Sequence, residues 1–142
     1  RSLVGSEMCI RDSIYRVWNS DAPCVFERKY VHAEPHPLDL DAMRRAAAQL
    51  CGRHEFSAFS TGKKTGRAAT RTIESIGIER CGEEVRLTYT GDGFLYNMVR
   101  ILTGTLLEVG LGERRPDDME AILASHSRAS AGFTAPAQGL FL

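Results

Sequence analysis

The sequence predicts an α+β fold, an antiparallel sheet with helices packed on one face. Two observations predict it. The alternating segments Arg71–Glu79 and Val85–Tyr89, joined by Cys81-Gly82-Glu83-Glu84, read as a β-hairpin. The apolar run from Phe94 to Val109 then recurs at helical spacing and follows the hairpin after only Gly91-Asp92-Gly93. Other strands and helices are interspersed along the chain, and no internal repeat is visible.

Each element has its own signal. Ile14–Asn19 alternates and is rich in aromatic and β-branched residues, a strand pattern. Asp21-Ala22-Pro23 is a turn. Val25–Ala33 reads as extended, and Glu34–Pro37, with two prolines, as a loop. A helix is expected from Leu38-Asp39 to about Cys51, with Leu40, Met43, Ala46, Ala47 and Leu50 on one face. Asp39 and Asp41 favour its positive end and Gly52 stops it. Phe56-Ser57-Ala58-Phe59 is a short apolar step before a basic loop, Ser60–Thr70. The second helix is expected over Phe94–Val109 with Gly110 at its end, apolar almost all round and therefore well covered. A short helix is expected from Asp117 to about Ala124. Ser130–Gln138 is loop-like, and Gly139–Leu142 begins a strand.

The 142 residues suit one domain, or part of a larger protein, and 43% hydrophobic and 25% charged residues are ordinary for a globular chain. The formal net charge of zero hides an imbalance. Lys63, Lys64, Arg67 and Arg71 lie between Phe59 and Ile73 with no acid among them, whereas acids gather at Glu83–Glu84 and Glu113–Glu120. Such a pattern fits contact with a polyanion on one face. Cys9, Cys24, Cys51 and Cys81 are widely spaced, so free thiols are expected and no zinc site. His32 and His36 are four apart, but Pro35 and Pro37 flank that spot and disfavour a helical metal pair. No metal site is expected. No apolar run reaches the roughly 18 residues of a membrane span.

Residues 1–13, RSLVGSEMCIRDS, show no period and no signal-peptide pattern. They resemble translated sequencing-adapter sequence and are expected to be non-native, leaving 14–142 as the domain. The chain lacks an initiator methionine and closes on Gly-Leu-Phe-Leu, so it is expected to be incomplete at both ends.

Arg100 is the most informative residue. It stands alone in the apolar run Phe94–Leu102, with no acid within a helical turn; the nearest are Asp92 and Glu108. A guanidinium stays charged and, when buried, needs an anion. Another segment, another chain or a ligand must bring it. Tyr96, Asn97 and Gly104 share its strip of the expected helix. Arg100 reads either as a cation holding a carboxylate or RNA phosphate in a cleft, or as a surface arginine snorkelling off a core helix. The basic loop, with Thr61-Gly62-Lys63-Lys64-Thr65-Gly66-Arg67, combines glycines, hydroxyls and cations suited to phosphate. It is not a Walker motif, and alone it also reads as a solvated loop. Tyr89, Tyr96 and Phe94 have rings able to stack on bases, although core packing is the ordinary role of each.

Together these pieces resemble the tRNA pseudouridine synthase A family. The run F-L-Y-N-M-V-R-I-L-T-G-T-L-L-E-V-G is similar to its aromatic, M-V-R, G-x-L-x-E-V-G motif. Phe56-Ser57-Ala58-Phe59 is similar to its F-x-x-F step, Arg67–Ile73 to its basic stretch, and A-G-F-T-A-P-A-Q-G-L-F-L to its ending. The resemblance covers about Ile14 to Leu142. It implies a pseudouridine synthase-like C-terminal half, truncated, of an isomerase that converts uridine to pseudouridine in the tRNA anticodon stem-loop, without cofactor or metal. It further implies a cytoplasmic homodimer, each subunit having two α+β halves around an RNA-binding cleft. The family nucleophile is an aspartate in G-R-T-D-A-G-x-H, a motif absent from this sequence. Arg100 matches the catalytic arginine that pairs with it and would lower its pKa. Tyr96, Asn97 and Met98, with Lys63, Lys64, Arg67 and Arg71, are the expected RNA contacts. The family's base-contacting tyrosine, first of a Y-x-Y pair, falls on Ser13, and Tyr15 matches the second. The expectation is thus an enzyme by family, with this chain alone inactive. A non-catalytic RNA-binding module and a purely structural or assembly domain are the rival readings.

Overall fold

The computed structural model describes residues 11–22 and 30–141. Six strands and three helices are present among them: β1 (Arg11–Trp18), β2 (His32–Ala33), α1 (Leu40–Leu50), β3 (Gly52–Glu55), β4 (Thr70–Cys81), β5 (Glu84–Gly91), α2 (Met98–Gly110), α3 (Asp118–Ser125) and β6 (Leu140–Phe141). The α+β class is as the sequence predicts. The strand order is β2-β1-β5-β4-β3, with β6 also on β1. All pairings but one are antiparallel; β1 and β2 run parallel, so the sheet is mixed rather than purely antiparallel. Pro23 and the first part of Val25–Ala33 lie outside the described residues, as do Cys9 and Cys24.

One sheet face is covered. Tyr15 and Val17 of β1 and Val85, Leu87 and Tyr89 of β5 are fully buried against Met43 and Leu50 of α1 and Ile101, Leu102 and Leu106 of α2. Strand β4 breaks its alternation in the sequence, with Ile73 out of phase with Ile76 and Ile78. A register shift between Ile73 and Ser75 accounts for this. The inserted residue turns the strand over, so all three isoleucines pack against the core. The Asp39 side chain accepts a hydrogen bond from Ala42 N and caps α1. Gly82, at φ +66°, supplies the left-handed residue of the β4–β5 turn. Strand β3, which the sequence does not announce, pairs Gly52–Glu55 with Thr70–Ile73.

The second helix starts later than expected, at Met98 rather than Phe94. Asn97 adopts a left-handed conformation, φ 60°, which an α-helix cannot include. Phe94 and Leu95 therefore lead into a turn at Tyr96–Asn97, and Tyr96 does not share a helical strip with Arg100. Leu95 is still buried, which explains why the apolar pattern reads as one continuous helix. Inside the core the Tyr89 hydroxyl bonds to Thr103 Oγ1 at 2.7 Å, and Thr103 in turn donates to Val99 O. Burial pushes the Tyr89 phenol well above its ordinary range.

The opposite face of β1 and β5 carries a charge bridge. Arg16 and Arg86 stand directly opposite each other in register. Glu84 lies between them, bound by Arg16 Nε at 2.9 Å, Arg16 Nη2 at 2.7 Å and Arg86 Nε at 2.5 Å. The Arg16 contact, then that of Arg86, holds its carboxyl below the usual glutamate range. The folded state thus favours the ionised form. Its contribution is present above the ordinary glutamate range and is lost as pH falls from there through the lowered folded value. Glu84→Gln should cost about 2 kcal/mol at neutral pH. Denaturant titrations from neutral to acid should show wild type and variant converging as pH falls; a gap that widens would contradict this account.

Candidate active site

A cavity of about 1040 Å³ opens where the ends of β1, β4 and β5 meet the start of α2. Ser13, Arg71, Tyr96, Asn97 and Arg100 line it. A smaller neighbour of about 190 Å³ is lined by Ser60, Gly62, Lys63 and Lys64, and shares Arg71 and Tyr96 with the first. The two cavities thus bring the basic loop to the beginning of α2, as contact with a polyanion requires.

Arg100, the third residue of α2, is half-buried. Its Nε donates to Ala135 O at 2.7 Å and its Nη1 to Asn97 Oδ1 at 3.1 Å. Two of its five N–H groups are thereby used. The other three sit on Nη1 and Nη2, the end of the fork suited to a carboxylate. Among the described residues it belongs to no ion pair. The guanidinium is fixed by neutral acceptors and keeps its charge unspent. That excludes a side chain waving in solvent.

Asn97 links two parts of the site. Its left-handed backbone puts the side chain between Arg100 and the basic loop, where Nδ2 donates to Thr61 Oγ1 at 3.2 Å. Asparagine tolerates this conformation better than most residues. Tyr96 is 72% exposed and stands at the rim between the two cavities. Arg71 Nη1 donates to Ala68 O and Thr70 O, so its charge too is held by neutral groups.

Two expected contact residues are placed differently. Met98 is fully buried, its sulfur accepting from Leu95 N at 3.4 Å, so it backs the cavity from the core and is closed to a macromolecule. Arg67 is exposed on the short 3₁₀ turn Gly66–Ala69 and lines neither cavity. Tyr15 is buried and donates to Pro136 O. Burial raises its pKa well above the ordinary phenol value, with the Arg100 charge opposing. Ser13, among the residues expected to be non-native, is buried in β1 opposite Tyr89 and lines the larger cavity. The Ala135 carbonyl, which fixes Arg100, has no signal in the sequence, because every residue carries one. Among the described residues no group of three His, Cys, Asp or Glu side chains could hold a metal ion. None of their helices is long and apolar enough to cross a membrane.

Comparison with known proteins bears directly on this cavity. Residues 46–142, which include the basic loop, Arg100 and Ala135, match the family model described as tRNA pseudouridine synthase. The chain is 48% identical over 126 residues to tRNA pseudouridine synthase A of Halalkalibacterium halodurans, covering 89% of this chain and 48% of that protein. It is 44% identical to the proteins of the same name from Acetivibrio thermocellus, over 90% of this chain and 52% of the relative, and Brevibacillus brevis, over 92% and 54%. The chain spans about half the length of the curated relatives it matches. With a family model matching more than half of the sequence, the whole described site inside or beside that match, and identities above 40%, this chain belongs to the tRNA pseudouridine synthase family.

Proposed function

We propose that this chain is the C-terminal half of a tRNA pseudouridine synthase acting on uridines of the anticodon stem-loop. It supplies the arginine that holds the nucleophilic carboxylate, together with part of the RNA-binding surface. The observation that carries this reading is Arg100, half-buried on a cavity wall with three N–H groups uncommitted and no ion pair among the described residues.

The chemistry follows from the charge. An aspartate brought against the Nη1–Nη2 end of Arg100 gains a charge-assisted pair, which favours its ionised form. An ionised carboxylate at neutral pH is the competent attacking group. Arg100 need not move to receive it, because Ala135 O and Asn97 Oδ1 already fix the guanidinium. Pre-set charge of this kind costs no reorganisation during reaction. Lys63, Lys64 and Arg71 flank the cavity as phosphate contacts, with Arg67 further out on the same loop. Tyr96 offers an exposed ring for stacking on a base. The cytoplasmic homodimer of the family completes this reading.

The 142 residues contain no arginine-threonine-aspartate turn. The chain alone should therefore release no tritium from tRNA labelled at C5 of uridine. Addition of a relative's N-terminal half carrying that turn should restore release. Turnover by the unaided chain, or none after complementation, would overturn the proposal. The cavity at the start of α2 should also bind tRNA with a steep salt dependence. Neutralising Lys63 and Lys64 together should lower the log–log salt slope by about 2, near one for each phosphate that no longer meets a cation. Filter binding across a salt series reads this directly, and an unchanged slope would remove the loop from the interface.

A further inference from the structure

We propose that residues 131–135 form a strap along α2 that sets the orientation of Arg100, with Glu108 as its anchoring, positioning residue. This rests on the catalytic reading of Arg100 above and adds the device that aims it.

The strap meets the helix turn by turn. The Glu108 side chain reaches the middle of the strap, where Phe133 N donates to its Oε2 at 3.3 Å. The other carboxylate oxygen, Oε1, binds Arg114 Nε at 2.5 Å, and Arg114 Nη1 reaches over to Ser130 O at 2.9 Å. One turn nearer Arg100 on the helix, Gly132 N donates to Thr105 Oγ1 at 2.9 Å inside the core. Beside it the Phe133 carbonyl lies against Gly104, where an added Cβ would collide with it. At the near end Ala135 N donates to Arg100 O at 3.1 Å, and Arg100 Nε returns a bond to Ala135 O at 2.7 Å. Residues 108, 105, 104 and 100 succeed one another at helical spacing, so one continuous face of α2 carries the strap.

This arrangement is more than packing. Gly132 has no room for a side chain: its Cβ would stand 2.8 Å from Glu108 Oε1 and 2.9 Å from Thr105 Cα. Helix and strap are thus in backbone contact. The last bond of the series goes to the side chain whose direction matters for the cavity. An arginine on a helix has many rotamers, and the fixed acceptor at Nε, together with Asn97 Oδ1 at Nη1, selects among them. Glu108 and Arg114 are partly buried, with 19% and 23% of their side chains exposed, so the pair that ties down the far end is shielded from solvent. Releasing that end lets the Ala135 carbonyl drift from Arg100.

The test reads the guanidinium itself. In ¹⁵N–¹H spectra of the 142-residue chain, Arg100 Nε–H should give a slowly exchanging resonance, assigned by its loss in Arg100→Lys. Glu108→Leu should speed exchange at that N–H at least tenfold while the amide resonances of β4 and β5 keep their positions. Thr105→Val, nearly isosteric, should act in the same direction to a smaller degree, and decides the matter if Glu108→Leu does not fold. Unchanged Arg100 exchange in folded variants overturns the strap. So does collapse of the whole amide spectrum in both, which would make these residues general supports. No RNA enters this measurement, so it can fail while the catalytic reading survives, or succeed while that reading fails. In the complemented enzyme, Glu108→Leu should then lower kcat with KM for tRNA little changed.

Discussion

Replacing Arg100 with alanine in the complemented enzyme, or at the matching position of a full-length relative, should lower kcat by about 10²–10³-fold, the cost of removing one preorganised charge partner from an active site. tRNA affinity should change little, because the phosphate contacts proposed above lie on Lys63, Lys64 and Arg71. This split distinguishes the enzyme from a module that only binds RNA, for which Arg100 would be dispensable. The pH profile carries a second sign. On the proposed pairing, Arg100 would hold the carboxylate below its ordinary range. Without it, that stabilisation of the charged form is lost, and the acid limb of kcat/KM should move to higher pH by about 1–3 units. A limb that stays in place would show that Arg100 does not pair with the titrating carboxylate. A lysine there should restore only part of the rate, since a point charge cannot reproduce the two-pronged geometry or the Nε bond to Ala135.

Gly104→Ala should be the most destabilising single methyl addition in the described chain. In an open helix interior this change helps by about 1 kcal/mol. Here the new Cβ would fall onto the Phe133 carbonyl, with its carbonyl carbon at 2.8 Å. Both groups are tied to backbone, so no rotamer change relieves the clash. The strap must lift and forfeit its bonds to Thr105 and Arg100. A net loss of about 3 kcal/mol or more is expected, or a melting point lower by about 6–12 °C for a chain of this size. Gly77→Ala is the control, since an added Cβ there meets nothing nearer than Thr88 Cβ at 4.0 Å. Equal melting points for the two variants would remove the strap–helix contact from the account.

Much of this is readable in the residues. The hairpin of β4 and β5, α1 with its Asp39 cap, and the covered character of α2 each follow from period and punctuation. The isolation of Arg100 is visible as charge without a neighbour. What stays hidden depends on groups that every residue shares or on distant pairing. Strand β3 is short and gains its definition from β4. The parallel β1–β2 contact is a tertiary choice that two residues cannot announce. The hydropathy pattern starts α2 too early because Leu95 is buried as a helical residue would be, while the left-handed Asn97 that stops the helix leaves no mark in it. In the site, helical spacing puts Tyr96 on the strip of Arg100, yet it reaches the same cavity from a turn. Met98 matches the motif and is core.

The buried pair of hydroxyls on Tyr89 and Thr103 has a geometric consequence for the cavity. Apolar contact alone is indifferent to a helix rolling about its own axis on a smooth bed of aliphatic groups. One directional bond between the sheet and the helix's buried threonine restrains that freedom on the sheet side, as the strap does along the helix's other contacts. Arg100 projects about 60° around the axis from Thr103. A tyrosine wholly inside the protein thereby adds to the strap's hold on the bearing of the half-buried cation on the cavity wall.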